Sequence, residues 1–199
     1  GLLPQRRAEQ IMVMPAAQTD WTVDMLDALP DDGQRYELID GVLYVTPGPS
    51  DVHQLVASSF RQSLHEYVRP TSLARVLQSP ADVRKPDRNR NRVQPDVFVV
   101  RLIAGKRPTY PYDLTDLMLA IEVESPSNPN LDYQIKRSLY LRNGIAEYWV
   151  VNPIARIVSR WRNADEPGEV FSSRISWHPD GMAAPLVLDL PALFEDALG

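Results

Sequence analysis

Two apolar runs, each carrying an acid, constrain this chain more than any other feature. Pro95-Asp96-Val97-Phe98-Val99-Val100 and Leu119-Ala120-Ile121-Glu122-Val123-Glu124 have the β-branched and large apolar character of strands. An ionised carboxylate placed in or beside a β-rich core needs a counter-charge. Side chains alternate along a strand, so Glu122 and Glu124 fall on one face, roughly 7 Å apart, while Ile121 and Val123 fall on the other. Neighbouring carboxylates repel unless a cation neutralises them, and Asp96 from an adjacent strand sharpens that demand. A divalent ion meets it, because magnesium takes oxygen ligands, often one or two carboxylates with waters. Asp96, Glu122 and the carbonyl of Val123 are the donors such an ion would find.

The stretch 131–143 has helical spacing. Leu131, Ile135, Ser138 and Arg142 form one stripe with Leu139 beside it, Asp132, Lys136 and Tyr140 form the next, and Gly144 suits the terminating position. A helix here returns alongside the sheet and carries Lys136 toward the acids. Two strand-borne acids and a lysine suit metal-assisted phosphodiester cleavage, with the lysine orienting the nucleophile or offsetting charge in the transition state. The plainer alternative is that Asp132 and Lys136, spaced i,i+4, are an exposed helix pair worth about 0.3–0.5 kcal/mol. Glu37 is either a fourth acid at the site or an outward-facing strand residue. His53, near a helix start, is either a surface or capping histidine or a catalyst.

The other elements follow from local signals. Thr22 caps a short helix to about Leu29, with Val23, Leu26 and Leu29 inward. Tyr36–Ile39 and Val42–Val45 flank Asp40-Gly41, the dipeptide of a tight hairpin. Ser50 or Asp51 caps a core-facing helix to about Val68, with Leu55, Val56, Phe60, Leu64, Tyr67 and Val68 at helical spacing. Strands are expected at about 74–83, 96–101, 119–124, 147–151, 154–161, 170–177 and 186–188. Residues 1–18 lack periodicity and read as a flexible arm, and 19–199 as one α/β or α+β domain with a mixed sheet.

Composition narrows the chemistry. There is no cysteine, which excludes disulfides, thiolate zinc sites and a cysteine nucleophile. The three histidines lack the spacing of a helical zinc site, leaving carboxylates as metal ligands. No apolar stretch approaches the length of a membrane span, so a cytoplasmic protein is expected. The net charge is -5, yet eight basic residues stand between Arg84 and Arg107 against only Asp87 and Asp96. Arg84, Lys85, Arg88, Arg90 and Arg92 are thus candidates for a rim that steers phosphates, or simply a solvated loop.

The residues together resemble the Uma2 family, placed among the PD-(D/E)xK restriction-endonuclease-like nucleases. The resemblance spans about Tyr36 to Pro153. It rests on Tyr36-Glu37-Leu38-Ile39-Asp40-Gly41, Pro47-Gly48-Pro49-Ser50-Asp51-Val52-His53, Pro95-Asp96-Val97, Ile121-Glu122-Val123 with Ser125-Pro126, Lys136, and Gly144 with Glu147-Tyr148-Trp149-Val150. It implies a mixed sheet flanked by helices, Asp96 and Glu122 as ligands of Mg2+ or Mn2+, and Lys136 as catalytic lysine. It also implies DNA as substrate and a homodimer. One departure stands out: where the general nuclease pattern has a lysine two residues after the second acid, this chain has Glu124. Glu37, Glu124 and His53 are the further candidates at the site. A binding module that keeps the fold without catalysis, and a phosphodiesterase acting on RNA, are the alternatives.

Overall fold

The computed structural model describes residues 20–85, 89–125 and 128–199. Its centre is a six-stranded mixed sheet built from β3 (Ala74–Gln78), β6 (Val97–Arg101), β8 (Leu117–Val123), β9 (Glu147–Asn152), β10 (Ile157–Trp161) and β11 (Glu169–Phe171). The spatial order is β11-β10-β9-β8-β6-β3. The β8 and β9 pair is parallel and its neighbours are antiparallel. A parallel pair needs a crossover, and the helical stretch 131–142 supplies it.

A second sheet, ordered β2-β1-β5-β4-β7, lies over one face of the first. It holds the hairpin β1 (Arg35–Ile39) and β2 (Val42–Thr46) with the two-residue strands β4 (Val83–Arg84), β5 (Arg92–Val93) and β7 (Tyr112–Asp113). The hairpin turn is the expected one: Asp40 and Gly41 have φ of 54° and 81°, the pair of positive angles that matches strand twist. A two-stranded sheet, β12 (Arg174–Trp177) with β13 (Leu186–Asp189), completes the β structure.

Alternation along the central strands explains the layers. Val97, Val99, Leu119, Ile121, Val123, Trp149 and Val151 face one core with α2 (Asp51–Val68) and α4 (Leu190–Leu198). Phe98, Val100, Ala120, Tyr148 and Val150 face the other with Leu131, Leu139, Tyr140 and the second sheet. Glu122 belongs to this second face by parity, so it points between the two sheets. A small third cluster packs α1 (Val23–Asp27) against Leu38.

The helix ends obey capping chemistry. Thr22 Oγ1 accepts from the amide of Met25, and Ser50 Oγ from that of His53. Asp189 caps α4, which has Pro191 in its first turn. No sequence expectation covered α4.

Several boundaries differ from expectation. The 74–83 segment divides, because β3 joins the central sheet and β4 the second one. The 170–177 segment likewise divides between β11 and β12. Leu55 is exposed on α2. The first turns of the 131–142 stretch are a π-helix, Leu131–Lys136, followed by α3 (Arg137–Arg142). The wider π turn changes which side chains face inward: Asp132, Lys136, Leu139 and Tyr140 are buried, while Ser138 and Arg142 are exposed. The expected arm at 1–18 lies outside the described residues. No helix among the described residues is long and apolar enough to cross a membrane.

Candidate active site between the two sheets

Strand register brings the two acids together. Val97 pairs with Ile121 across the antiparallel β6 and β8, and one step further sets Asp96 opposite Glu122. The main chain ties them more closely, since the amide of Val123 donates to Asp96 Oδ2 at 2.8 Å. Glu37 reaches the same region from β1, and Lys136 from the π-helix. Lys136 Nζ is 2.9 Å from Glu37 Oε2, 3.2 Å from Glu122 Oε2 and 3.7 Å from Asp132 Oδ1. These four side chains are nearly inaccessible, so the exposed helix pair weighed for Asp132 and Lys136 does not exist: the pair is buried among carboxylates.

Each acid has a distinct set of partners. Glu37 Oε1 accepts from the amide of Gln94 at 2.8 Å, and Glu122 Oε1 from the Tyr140 hydroxyl at 3.1 Å. Asp96 Oδ1 accepts from Arg35 Nη1 at 2.8 Å, and His53 Nε2 lies 2.9 Å from Oδ2. The His53 Nδ1 is buried with no hydrogen-bond partner among the described residues. Tyr148 stacks on Tyr140 and donates to the carbonyl of Asp132 at 2.9 Å, which pins the π turn.

Electrostatics separates the acids into two groups. Burial opposes ionisation of Asp96, but the hydrogen bond from His53 and the charge of Arg35 outweigh it and hold the carboxyl well below its ordinary value. Burial pushes Glu122 up, and Lys136 offsets this only in part. Burial likewise pushes Asp132 up to about 7, against the pull of Lys136. Burial works against the Lys136 ammonium too, but Glu122, Glu37 and Asp132 together hold it protonated far above its ordinary range. Lys136 is thus held as an ammonium among the carboxylates, placed to donate hydrogen bonds.

Four buried acids, Glu37, Asp96, Glu122 and Asp132, face two permanent cations, Arg35 and Lys136, an excess of two negative charges. A divalent cation would offset that excess. The donor chemistry fits a hard ion that takes few protein ligands, two carboxylates and a carbonyl. Among the described residues no three histidine or acid side chains stand ready to enclose a metal.

The remaining candidates lie elsewhere. Glu124 Oε2 accepts from Tyr133 at 3.1 Å and from Asn152 Nδ2 at 2.6 Å, which fastens the π-helix to β9. It shares the helix-facing side with Glu122, as alternation requires, but meets different partners. In the basic segment, Arg84 pairs with Asp27 and Asp82 at 3.6 and 3.7 Å. Arg92 pairs with the same two acids. These two arginines are thus charge-balanced by residues outside the basic run. Arg90 Nη2 lies 3.3 Å from Asp20 and donates to the carbonyl of Asp40 at 3.0 Å. Lys85 lines an open cavity of about 260 Å³ with Asn91, Arg142 and Asn143. Arg88 lies outside the described residues.

Sequence reasoning missed Arg35, Asp132 and Tyr140 as members of the cluster. The available signal for Arg35 was parity: it stands two residues before Glu37 and so shares its face of β1.

Comparison with known proteins bears on the fold and the family. The crystal structure of a "putative nuclease belonging to DUF820" from Anabaena variabilis ATCC 29413 superimposes with a TM-score of 0.69 at 22% sequence identity, covering 89% of this chain and 99% of that one. At that identity the likeness shows a shared fold, a mixed α+β architecture of sheets flanked by helices. No curated protein matches the chain. A family model described as "Putative restriction endonuclease" matches residues 23–194, nearly the whole described structure, and the chain therefore belongs to the Uma2 family.

Proposed function

We propose that the chain is a Mg2+- or Mn2+-dependent endonuclease that hydrolyses phosphodiester bonds in DNA. The observation that carries this reading is the surplus of buried carboxylate around one ammonium, where register sets Asp96 opposite Glu122. In this reading Asp96, Glu122 and the carbonyl of Val123 would hold the cation. Once bound, it supplies Lewis-acid stabilisation of the phosphodiester and lowers the pKa of water. Lys136 remains an ammonium and donates a hydrogen bond to the attacking water or to the oxygen on which charge develops. Glu37 and Tyr140 fix the rotamers of Lys136 and Glu122, and His53 fixes that of Asp96.

Lys85, Arg88 and Arg90, with Arg84 and Arg92 as their braced neighbours, would meet the phosphate backbone. The acids and the lysine act on the backbone rather than on base edges, so specificity would rest on other groups. We read 19–199 as one domain acting as a homodimer, since cutting both strands with one site per chain calls for two copies. Its place is the cytoplasm, with the DNA it cuts.

The test is a nicking assay on supercoiled DNA, with a parallel RNA substrate, in Mg2+ or Mn2+ and with chelator as control. Asp96→Ala, Glu122→Ala and Lys136→Ala should each abolish cleavage in protein that circular dichroism shows to be folded. Wild-type rates in all three variants refute the assignment. Salt-sensitive, metal-independent DNA binding with no cleavage identifies a non-catalytic module, and RNA cleavage alone identifies the other alternative.

A further inference from the structure

The two oxygens of Asp96 are held in different ways. Oδ2 accepts from the Val123 amide at 2.8 Å and lies 2.9 Å from His53 Nε2. Among the described residues Oδ1 takes its one hydrogen bond from Arg35 Nη1, also at 2.8 Å. The amide belongs to β8 and the imidazole to the first turn of α2, so both are anchored by regular structure. Together they fix the plane of the carboxylate, and Oδ1 can change its partner without Asp96 turning.

The two permanent cations of the cluster also differ. The Lys136 side chain is 3% exposed and closed in by three carboxylates. The Arg35 side chain is 15% exposed and stands at the first residue of β1, at the margin of the cluster. The Arg35 side chain is thus the more accessible of the two. A guanidinium and a divalent ion compete for Oδ1, because their charges repel at contact distance in a poorly screened site.

This inference rests on the metal-dependent reading given above. We propose that Arg35 is an exchangeable cation: it stands on Asp96 Oδ1 in the metal-free protein, yields that oxygen to the divalent ion, and turns its guanidinium to a phosphate of the nucleic-acid substrate. The planar fork of arginine suits both jobs, since it bonds carboxylate and phosphate oxygens with the same geometry. The exchange keeps the acids neutralised in the absence of metal. It also makes a phosphate-binding group available only after the metal has arrived, so that metal and substrate binding favour one another.

Two measurements test this. In Mn2+ calorimetry, Arg35→Gln, which removes the competing charge, should bind the ion about ten-fold tighter than wild type. Its affinity for a fluorescent DNA duplex, read by anisotropy in Ca2+, should fall, and the salt dependence should lose about one phosphate contact. Unchanged or weaker Mn2+ affinity in the folded variant overturns the exchange, and tighter Mn2+ binding with unaltered duplex affinity overturns the phosphate contact.

The second measurement uses the wild type and so survives a variant that fails to fold. Labelling with an arginine-specific dicarbonyl reagent, read by peptide mass spectrometry against exposed Arg101, should increase at Arg35 when Mn2+ is added. It should fall again when duplex is present. A wild type that binds Mn2+ without any change at Arg35 refutes this proposal alone. A wild type that binds no Mn2+ refutes the metal-dependent reading and this proposal with it.

Discussion

Replacing Lys136 by methionine probes the balance of charge between the sheets most sharply. The side chain keeps nearly the same length and apolar stem, so the buried volume is largely preserved while the ammonium is lost. What remains is Glu37 and Glu122, each less than 3.3 Å from the vanished charge, with Asp132 beside them. Removing one partner of a buried ion pair costs roughly 3–5 kcal/mol, because the other is left uncompensated. For a chain of this size each kcal/mol lowers the melting temperature by about 2–4 °C, so Lys136→Met should melt roughly 6–20 °C below wild type at pH 8.

The pH dependence gives a second signature. With the ammonium gone, Glu122 is held protonated even more firmly in the folded state. Its folded pKa lies above the unfolded one, so stability falls as pH rises, and the deficit against wild type should shrink toward pH 5. Arg142→Met is the control, since its ion pair with Asp40 is exposed and worth at most about 1 kcal/mol. Thermal melts by circular dichroism at pH 5 and pH 8 read both effects. A Lys136→Met deficit no larger than that of Arg142→Met, or one independent of pH, refutes the reasoning.

Three further outcomes follow from the same geometry. Asp132, whose carboxyl burial pushes up to about 7, binds its proton more tightly folded than unfolded, so wild-type stability falls as pH rises from about 4 to 7. Asp132→Asn should remove that component, worth at most about 1.4 kcal/mol per pH unit, from urea melts across the window, and an unchanged slope contradicts it. Tyr140→Phe strips the hydroxyl that donates to Glu122 Oε1 and should cost about 1–3 kcal/mol in urea melts, whereas a loss below about 0.5 kcal/mol means the bond contributes little. Gly41→Ala places a methyl group at a φ of 81° and 2.4 Å from Arg90 Nη2, and should destabilise by more than about 1 kcal/mol; a neutral result contradicts the turn geometry.

Much of the site was legible in the amino-acid order because charge inside an apolar run is costly. Asp96 and Glu122 each stand in such a run, and strand register does bring them together. Asp40-Gly41 and Ser50 announced the hairpin and the α2 cap through local chemistry that tertiary packing did not override. Lys136 was placed on the correct helix, but its i,i+4 relation to Asp132 equally described a surface pair. Burial of both depends on the π turn and on the hydroxyl of Tyr148, which lies in another element. Arg35 shares the parity of Glu37, but an arginine at the start of a strand is ordinarily solvated, so parity alone did not mark it as a member of the cluster.

The second sheet was hidden because β4, β5 and β7 have two residues each, too few to show a period. By contrast α4 could have been found, as Asp189-Leu190-Pro191 combines a cap with a first-turn proline. The acids that pair with Arg84 and Arg92, Asp27 and Asp82, lie outside the run itself, so charge counted within it could not show these pairings.

The most direct test of the account is the anomalous scattering of Mn2+ in crystals of the protein grown with that ion. The account predicts a single strong peak per chain coordinated by Asp96 Oδ1, Glu122 and the Val123 carbonyl, with Lys136 still within ion-pair distance of Glu37. No peak between Asp96 and Glu122 at saturating Mn2+, with the carboxylates still held by Arg35 and Lys136, would contradict it.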